Sequence, residues 1–77
     1  MLYSAAKRRP EKVDEFLAEA AALIDGRNVP KAMGIMEALI THYDCDFNAI
    51  RLIFSNRREV FCGFVPSSEE DFMKTCL

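Results

Sequence analysis

Apolar residues recur at three- and four-residue steps through the first third of the chain. Val13, Phe16, Leu17, Ala20, Leu23 and Ile24 fall on one face of a helix. Pro10 suits the first helical position, where its missing N–H leaves nothing unsatisfied. Glu11, Asp14 and Glu15 follow at the positive end of the dipole. Asp25-Gly26 ends the pattern, with Gly26 as the residue free to turn left-handed. The spacing predicts a helix over Pro10–Asp25.

A second helix opens at Asn28 and Pro30 and runs to about Tyr43. Its pattern is different. Ala32, Met33, Ile35, Met36, Ala38, Leu39, Ile40 and Tyr43 wrap most of the circumference, and only Lys31, Glu37, Thr41 and His42 are clearly polar. A helix apolar nearly all round is buried on more than one side. In so short a chain this predicts a central position or a subunit interface, and assigns Met33, Met36, Ile40 and Tyr43 to the seam of a homodimer. Gly34 and Ala38 stand one turn apart, as do Ala18 and Ala22. Small residues at that spacing allow a close helix–helix approach; the competing reading is a chance match, because alanine is common.

Beyond the connector Asp44-Cys45-Asp46, the run Ala49-Ile50-Arg51-Leu52-Ile53-Phe54 is rich in β-formers, Ser55-Asn56-Arg57-Arg58 has turn character, and Glu59-Val60-Phe61-Cys62-Gly63-Phe64-Val65 is a second β-rich run. Two such runs read as a β-hairpin that Pro66 stops. A competing reading takes Asp46 as a cap and Phe47, Ile50, Ile53 and Phe54 as a helical face. The hairpin is favoured, since a Val-Phe-Cys-Gly-Phe-Val stretch makes a poor helix. Further on, Ser67-Ser68-Glu69-Glu70 matches a capping box, with Ser67 as cap, Glu70 three residues later and Asp71 adding a carboxylate. A short C-terminal helix anchored by Phe72, Met73 and Cys76 follows.

The expected fold is therefore one small α+β domain over residues 1–77. A helical hairpin packs on a two-stranded antiparallel β-hairpin and is closed by a C-terminal helix. The alternative is an all-α bundle of three or four helices. A lone two-stranded sheet is marginal in water, so the helices or a second subunit must cover it.

Composition sharpens this picture. Fifty-one per cent of the 77 residues are hydrophobic. A chain of this length leaves a large share of its surface in water, and its own core rarely supplies more than ~3–5 kcal/mol. Some apolar surface is thus expected to meet a partner. Ten basic against twelve acidic residues leave a net charge of −2, which is not the basic footprint of an obligate nucleic-acid binder. Residues 1–9 carry Lys7, Arg8 and Arg9, with a helical start from Ser4, and lack the apolar core of a signal peptide. No apolar run is long enough to span a membrane. Three widely spaced cysteines, Cys45, Cys62 and Cys76, form no disulfide framework. A reduced cytoplasmic protein is expected.

Little in the chain carries chemistry. His42 and Cys45 could share a helix face as a nucleophilic pair, but no third group orients the imidazole and no glycine-rich oxyanion loop follows. His42, Cys45, Cys62 and Cys76 are an acceptable zinc set by type, although no two cysteines have the paired spacing of a structural site. Asp44, Asp46 and the trio Glu69, Glu70, Asp71 read as solvated or capping carboxylates rather than an acid/base pair, the trio offering at most a contact for a basic partner. No enzyme activity, cofactor or metal is expected.

The basic residues divide into Lys7, Arg8, Arg9 and Lys12 at the start, and Arg51, Arg57 and Arg58 on the expected hairpin. Arg57 and Arg58 at its tip address an acidic protein surface, with Phe61 and Phe64 exposed beside them; the bland reading is that arginines at a turn keep an edge strand soluble. The leading expectation is a non-catalytic protein-binding regulator or inhibitor that occludes a target surface. Its shortness and lack of motifs suit a phage- or mobile-element-encoded protein. The alternatives are a nucleic-acid-binding accessory protein, in which Phe61 or Phe64 stacks bases, and a zinc-stabilised interaction module. Nucleic acid is not favoured.

Overall fold

The computed structural model describes residues 10–76. The basic lead-in Lys7, Arg8, Arg9 and its expected helical start lie outside them. The described chain forms four helices: α1 (Pro10–Asp25), α2 (Val29–His42), α3 (Phe47–Ser55) and α4 (Glu69–Thr75). Among the described residues there is no strand. The α+β expectation is therefore overturned, and the architecture is all-α, the alternative considered above.

The α1–α2 hairpin follows its sequence pattern closely. Val13, Ala20 and Ile24 of α1 and Ala32, Met36 and Leu39 of α2 are buried, so the periodic faces meet each other. The turn between them differs from expectation by one residue. Gly26 continues the helix, its N–H donating to the Ala22 carbonyl at 3.0 Å. Arg27 takes the left-handed conformation instead, at φ 68°. Its N–H donates to the Ile24 carbonyl (2.9 Å) and the Asn28 N–H to Leu23 (2.8 Å), which is the paired bonding of a Schellman stop. Asn28 holds the cap position of α2 with no side-chain cap bond, and Pro30 sits in the first turn.

The segment expected to be a hairpin, 47–65, is α3 followed by a series of tight turns. Two physical reasons decide this. Asp46 caps α3, its Oδ1 accepting from the Asn48 N–H at 3.0 Å, and this satisfies a donor that a strand would have to pair elsewhere. Ile50, Ile53 and Phe54 then share one buried face, so tertiary burial overrides their β-propensity. In the second run, Phe61 and Phe64 stand three residues apart. A strand would send them to opposite faces. The turns send both onto Phe54, with ring centroids at 4.2 and 5.9 Å.

Local bonds hold those turns. Val60 N–H donates to Arg57 O (3.0 Å), Phe64 N–H to Phe61 O (3.0 Å) and Gly63 N–H to Arg58 O (2.8 Å). Cys62 (φ 54°) and Gly63 (φ 84°) are both left-handed.

The capping box of α4 is also displaced by one residue. Ser68, rather than Ser67, is the cap, its Oγ accepting from the Asp71 N–H at 3.1 Å. The Asp71 carboxylate reaches back to the Ser67 N–H (3.0 Å) and hydroxyl (3.2 Å). This register turns Phe72 fully inward, onto Phe47 and Phe54 at 6.4 and 6.0 Å. Ala20, Ile24, Ala32, Met36, Ile50, Ile53, Phe54 and Phe72 form one continuous core cluster, so all four helices contribute to a single interior.

Candidate functional site

The apolar surplus that pointed to a partner is largely absorbed inside the chain. On α2, Met36 is fully buried and belongs to the core cluster. Met33 and Ile40 are half-buried against that cluster. Tyr43 is half-buried, its ring edge-on to Phe16 at 5.7 Å. Of these four expected dimer-seam residues, Met36 cannot reach a second subunit without unfolding. The outward side of α2 is instead small and polar: Lys31, Gly34, Thr41 and His42 are exposed. A Cβ at Gly34 would meet nothing within 4 Å, so no close approach inside the chain requires that glycine. Ala18 and Ala22 are likewise exposed.

The expected partner-binding set is also dispersed. The Arg57 guanidinium is committed to Asp25, with Nε to Oδ1 at 2.9 Å and Nη2 to Oδ2 at 3.3 Å, while Nη1 donates to the Ile53 carbonyl at 3.4 Å. It ties the turns to the end of α1. Arg58 is exposed and lies across Gly63. Phe61 and Phe64 are half-buried, both packed on Phe54. Arg51 alone remains on an open helical surface, its Nε donating to the Pro66 carbonyl at 3.0 Å.

Among the hollows that the described residues line, two bear on the candidate site. A small one of about 130 Å³ lies between α1 and α2, lined by Phe16, Ile35, Ala38, Leu39 and Tyr43. A shallower groove of about 290 Å³ runs along α3, lined by Asn48, Arg51, Leu52, Ser55 and Val65. Leu52 is the one large apolar side chain plainly exposed among the described residues, at 59%. It points away from the buried Ile50–Ile53–Phe54 face because 3.6 residues per turn place it on the far side of the helix. Asn48, Arg51 and Ser55 surround it with hydrogen-bonding groups and a single positive charge. Asn48, Leu52 and Ser55 were not among the residues expected from sequence, whereas Val65 belongs to the second apolar run, whose outward-facing residues were expected to meet a partner. Leu52 was legible only under the helical reading of 47–54, as the apolar residue left off the Phe47–Ile50–Ile53–Phe54 face.

The groups considered for chemistry do not assemble. His42 is exposed, whereas the Cys45 thiol donates to the Asp46 carbonyl at 3.6 Å. Burial, followed by the nearby carboxylates of Asp46, Glu69, Asp14 and Asp44, pushes the Cys45 thiol above its ordinary range, the reverse of what an activated nucleophile needs. Cys76 is pushed the same way, by burial and then Glu37. Among the described residues, no three His, Cys, Asp or Glu side chains gather as a metal site; Cys62 stands exposed on its turn. Asp46 caps α3, and the Asp71 carboxylate accepts from the Ser67 N–H and hydroxyl at the start of α4. Among the described residues, no helix is long and apolar enough to cross a membrane. No family model matches the chain, and no curated protein or solved structure resembles it closely enough to match.

Proposed function

We propose that this chain is a small non-catalytic protein-binding module that acts by occluding a target surface, and that it binds through the outer face of α3. The observation that carries this is Leu52, a large apolar side chain held in water in the middle of a helix and ringed by Asn48, Arg51 and Ser55. An apolar centre with a polar rim is the usual anatomy of a protein contact. Burying the exposed part of one leucine stabilises a complex by roughly 1–2 kcal/mol, about a 5- to 30-fold gain in affinity. Three free cysteines suit a reduced, cytosolic setting.

The other readings have less to support them. A nucleic-acid surface needs several free cations along one face, and Arg57 is committed to Asp25. A zinc module needs converging ligands. Self-association through α2 would lack Met36.

Because Leu52 makes little of the core, Leu52→Asp is expected to leave thermal stability almost unchanged and to remove binding. Parallel capture from host extract with the wild-type chain and the Leu52→Asp chain should return a protein that only the former retains. Identical captures from two equally stable baits would refute the α3 surface.

A further inference from the structure

We infer that the α3 groove takes an acidic amphipathic segment of a partner protein, with one apolar side chain seated on Leu52 and Val65 and an Asp or Glu carboxylate held by the Arg51 guanidinium. This rests on the α3 surface proposed above and goes further by fixing the partner's chemistry.

The contrast between two arginines carries the inference. Arg57 has its fork filled by the Asp25 carboxylate and the Ile53 carbonyl. Arg51 uses only Nε, on the Pro66 carbonyl. That bond fixes the plane of the guanidinium beside the groove and leaves both Nη groups without a carboxylate among the described residues. A guanidinium held in place with open Nη donors is matched to a carboxylate, which accepts in two parallel bonds, and a group already fixed loses little freedom on binding. The five side chains lining the groove include that one cation and no acid, in a chain with twelve acidic residues against ten basic. The sign of the site is thus opposite to that of the molecule.

The size and centre of the groove narrow the occupant. Five lining residues fall well short of the ~20–30 per side of a standard protein interface, which fits one turn or two of a helix, or a short extended segment. Leu52 at the centre demands an apolar anchor, whereas a nucleic-acid backbone asks for several cations and no leucine. Asn48 and Ser55 at the edge can meet the segment's polar groups.

The full ¹⁵N-labelled chain can be titrated with three probes: a synthetic amphipathic peptide of leucines and glutamates, a twin with every glutamate changed to lysine, and a short DNA duplex. The acidic peptide should shift the amides of Asn48, Leu52, Ser55 and Val65 together with the Arg51 side-chain Nε–H, weaken with added salt, and lose about tenfold in affinity on Arg51→Gln. Since Arg51 also holds Pro66, the Arg51→Glu chain paired with the lysine twin supplies a second arm, in which binding should return. Tighter binding of the duplex, or no response to the acidic peptide up to ~1 mM, would overturn the inference. If both peptides bind equally at these residues and Leu52→Asp removes both, the α3 surface survives and the acidic partner does not.

Discussion

The α1–α2 hairpin and the α3-to-α4 half of this protein reach the same interior by different means. In the first, two regular helices of 16 and 14 residues face each other through a periodic apolar seam. In the second, two helices of 9 and 7 residues are joined by turns, and individual side chains hold the arrangement: Phe54 at the centre of the ring cluster, Arg51 on Pro66, Arg57 on Asp25. A seam distributes its stabilisation over many similar residues. The second half concentrates it in a few. The proposed binding surface lies on the second half, where among the described residues the outer face of α3 carries the exposed Leu52.

The sharpest way to break that comparison is through the core the halves share. Phe54→Ala should cost about 3–5 kcal/mol and Met36→Ala about 2–5 kcal/mol. Either is comparable with the whole stability of a domain this small, so both chains are expected to lose helicity in a single transition by circular dichroism. Survival of α1–α2 helicity in the Phe54→Ala chain would mean that the two halves are energetically separate.

Next in size, two glycines should answer in opposite directions. Gly34 sits mid-helix with open space where a Cβ would go, so Gly34→Ala should stabilise by about 1 kcal/mol. Gly63 has φ 84°, and Gly63→Ala should destabilise by about 1–2 kcal/mol. Thermal melts of the pair measure both; a destabilising Gly34→Ala would show that α2's outer side is occupied.

A smaller effect is expected at the tie between the halves. A double-mutant cycle on Arg57 and Asp25 should give a coupling of about 0.5–1 kcal/mol, reduced by salt, since the Asp25 side chain is 60% exposed. Hydrogen exchange should quicken across 56–66 in Arg57→Ala and stay unchanged in α2; uniform quickening would deny that Arg57 acts locally.

Least in energy, but direct to read, is thiol labelling. Exposed Cys62 should alkylate before Cys45 and Cys76. The native chain holds the Cys45 and Cys76 protons more firmly than the unfolded chain does. Their contribution to stability is therefore full below the ordinary thiol range and falls as pH rises through and beyond it. Stability that rises across that alkaline range would contradict the upward shifts.

Much of the first half was legible along the chain. The span of α1, the opening of α2 at Asn28 and Pro30, and the presence of a capped C-terminal helix all rest on local chemistry: period, proline geometry and serine with a carboxylate three residues on. The misplacements of one residue, Arg27 for Gly26 and Ser68 for Ser67, arose because neighbouring residues offer nearly equal caps and burial chooses between them. Ile24 on α1 and Phe72 on α4 had to point inward, and that set the register. The apolar girdle of α2 was legible as well. Its use was not, because a periodicity cannot say whether the second buried side faces the same chain or another.

What the sequence determined by itself, then, is the set of local preferences: where helices begin and end within a residue or so, and which faces shun water. What only tertiary structure decided is the fate of 47–66. Those residues suit a strand by propensity and a helix by spacing, and local preference alone does not choose between them. Phe54, packed against Phe61, Phe64 and Phe72, supplies those neighbours only when 47–55 is helical. That choice also turned Leu52 outward beside Arg51, so the candidate binding surface exists because of packing on the opposite side of the same helix.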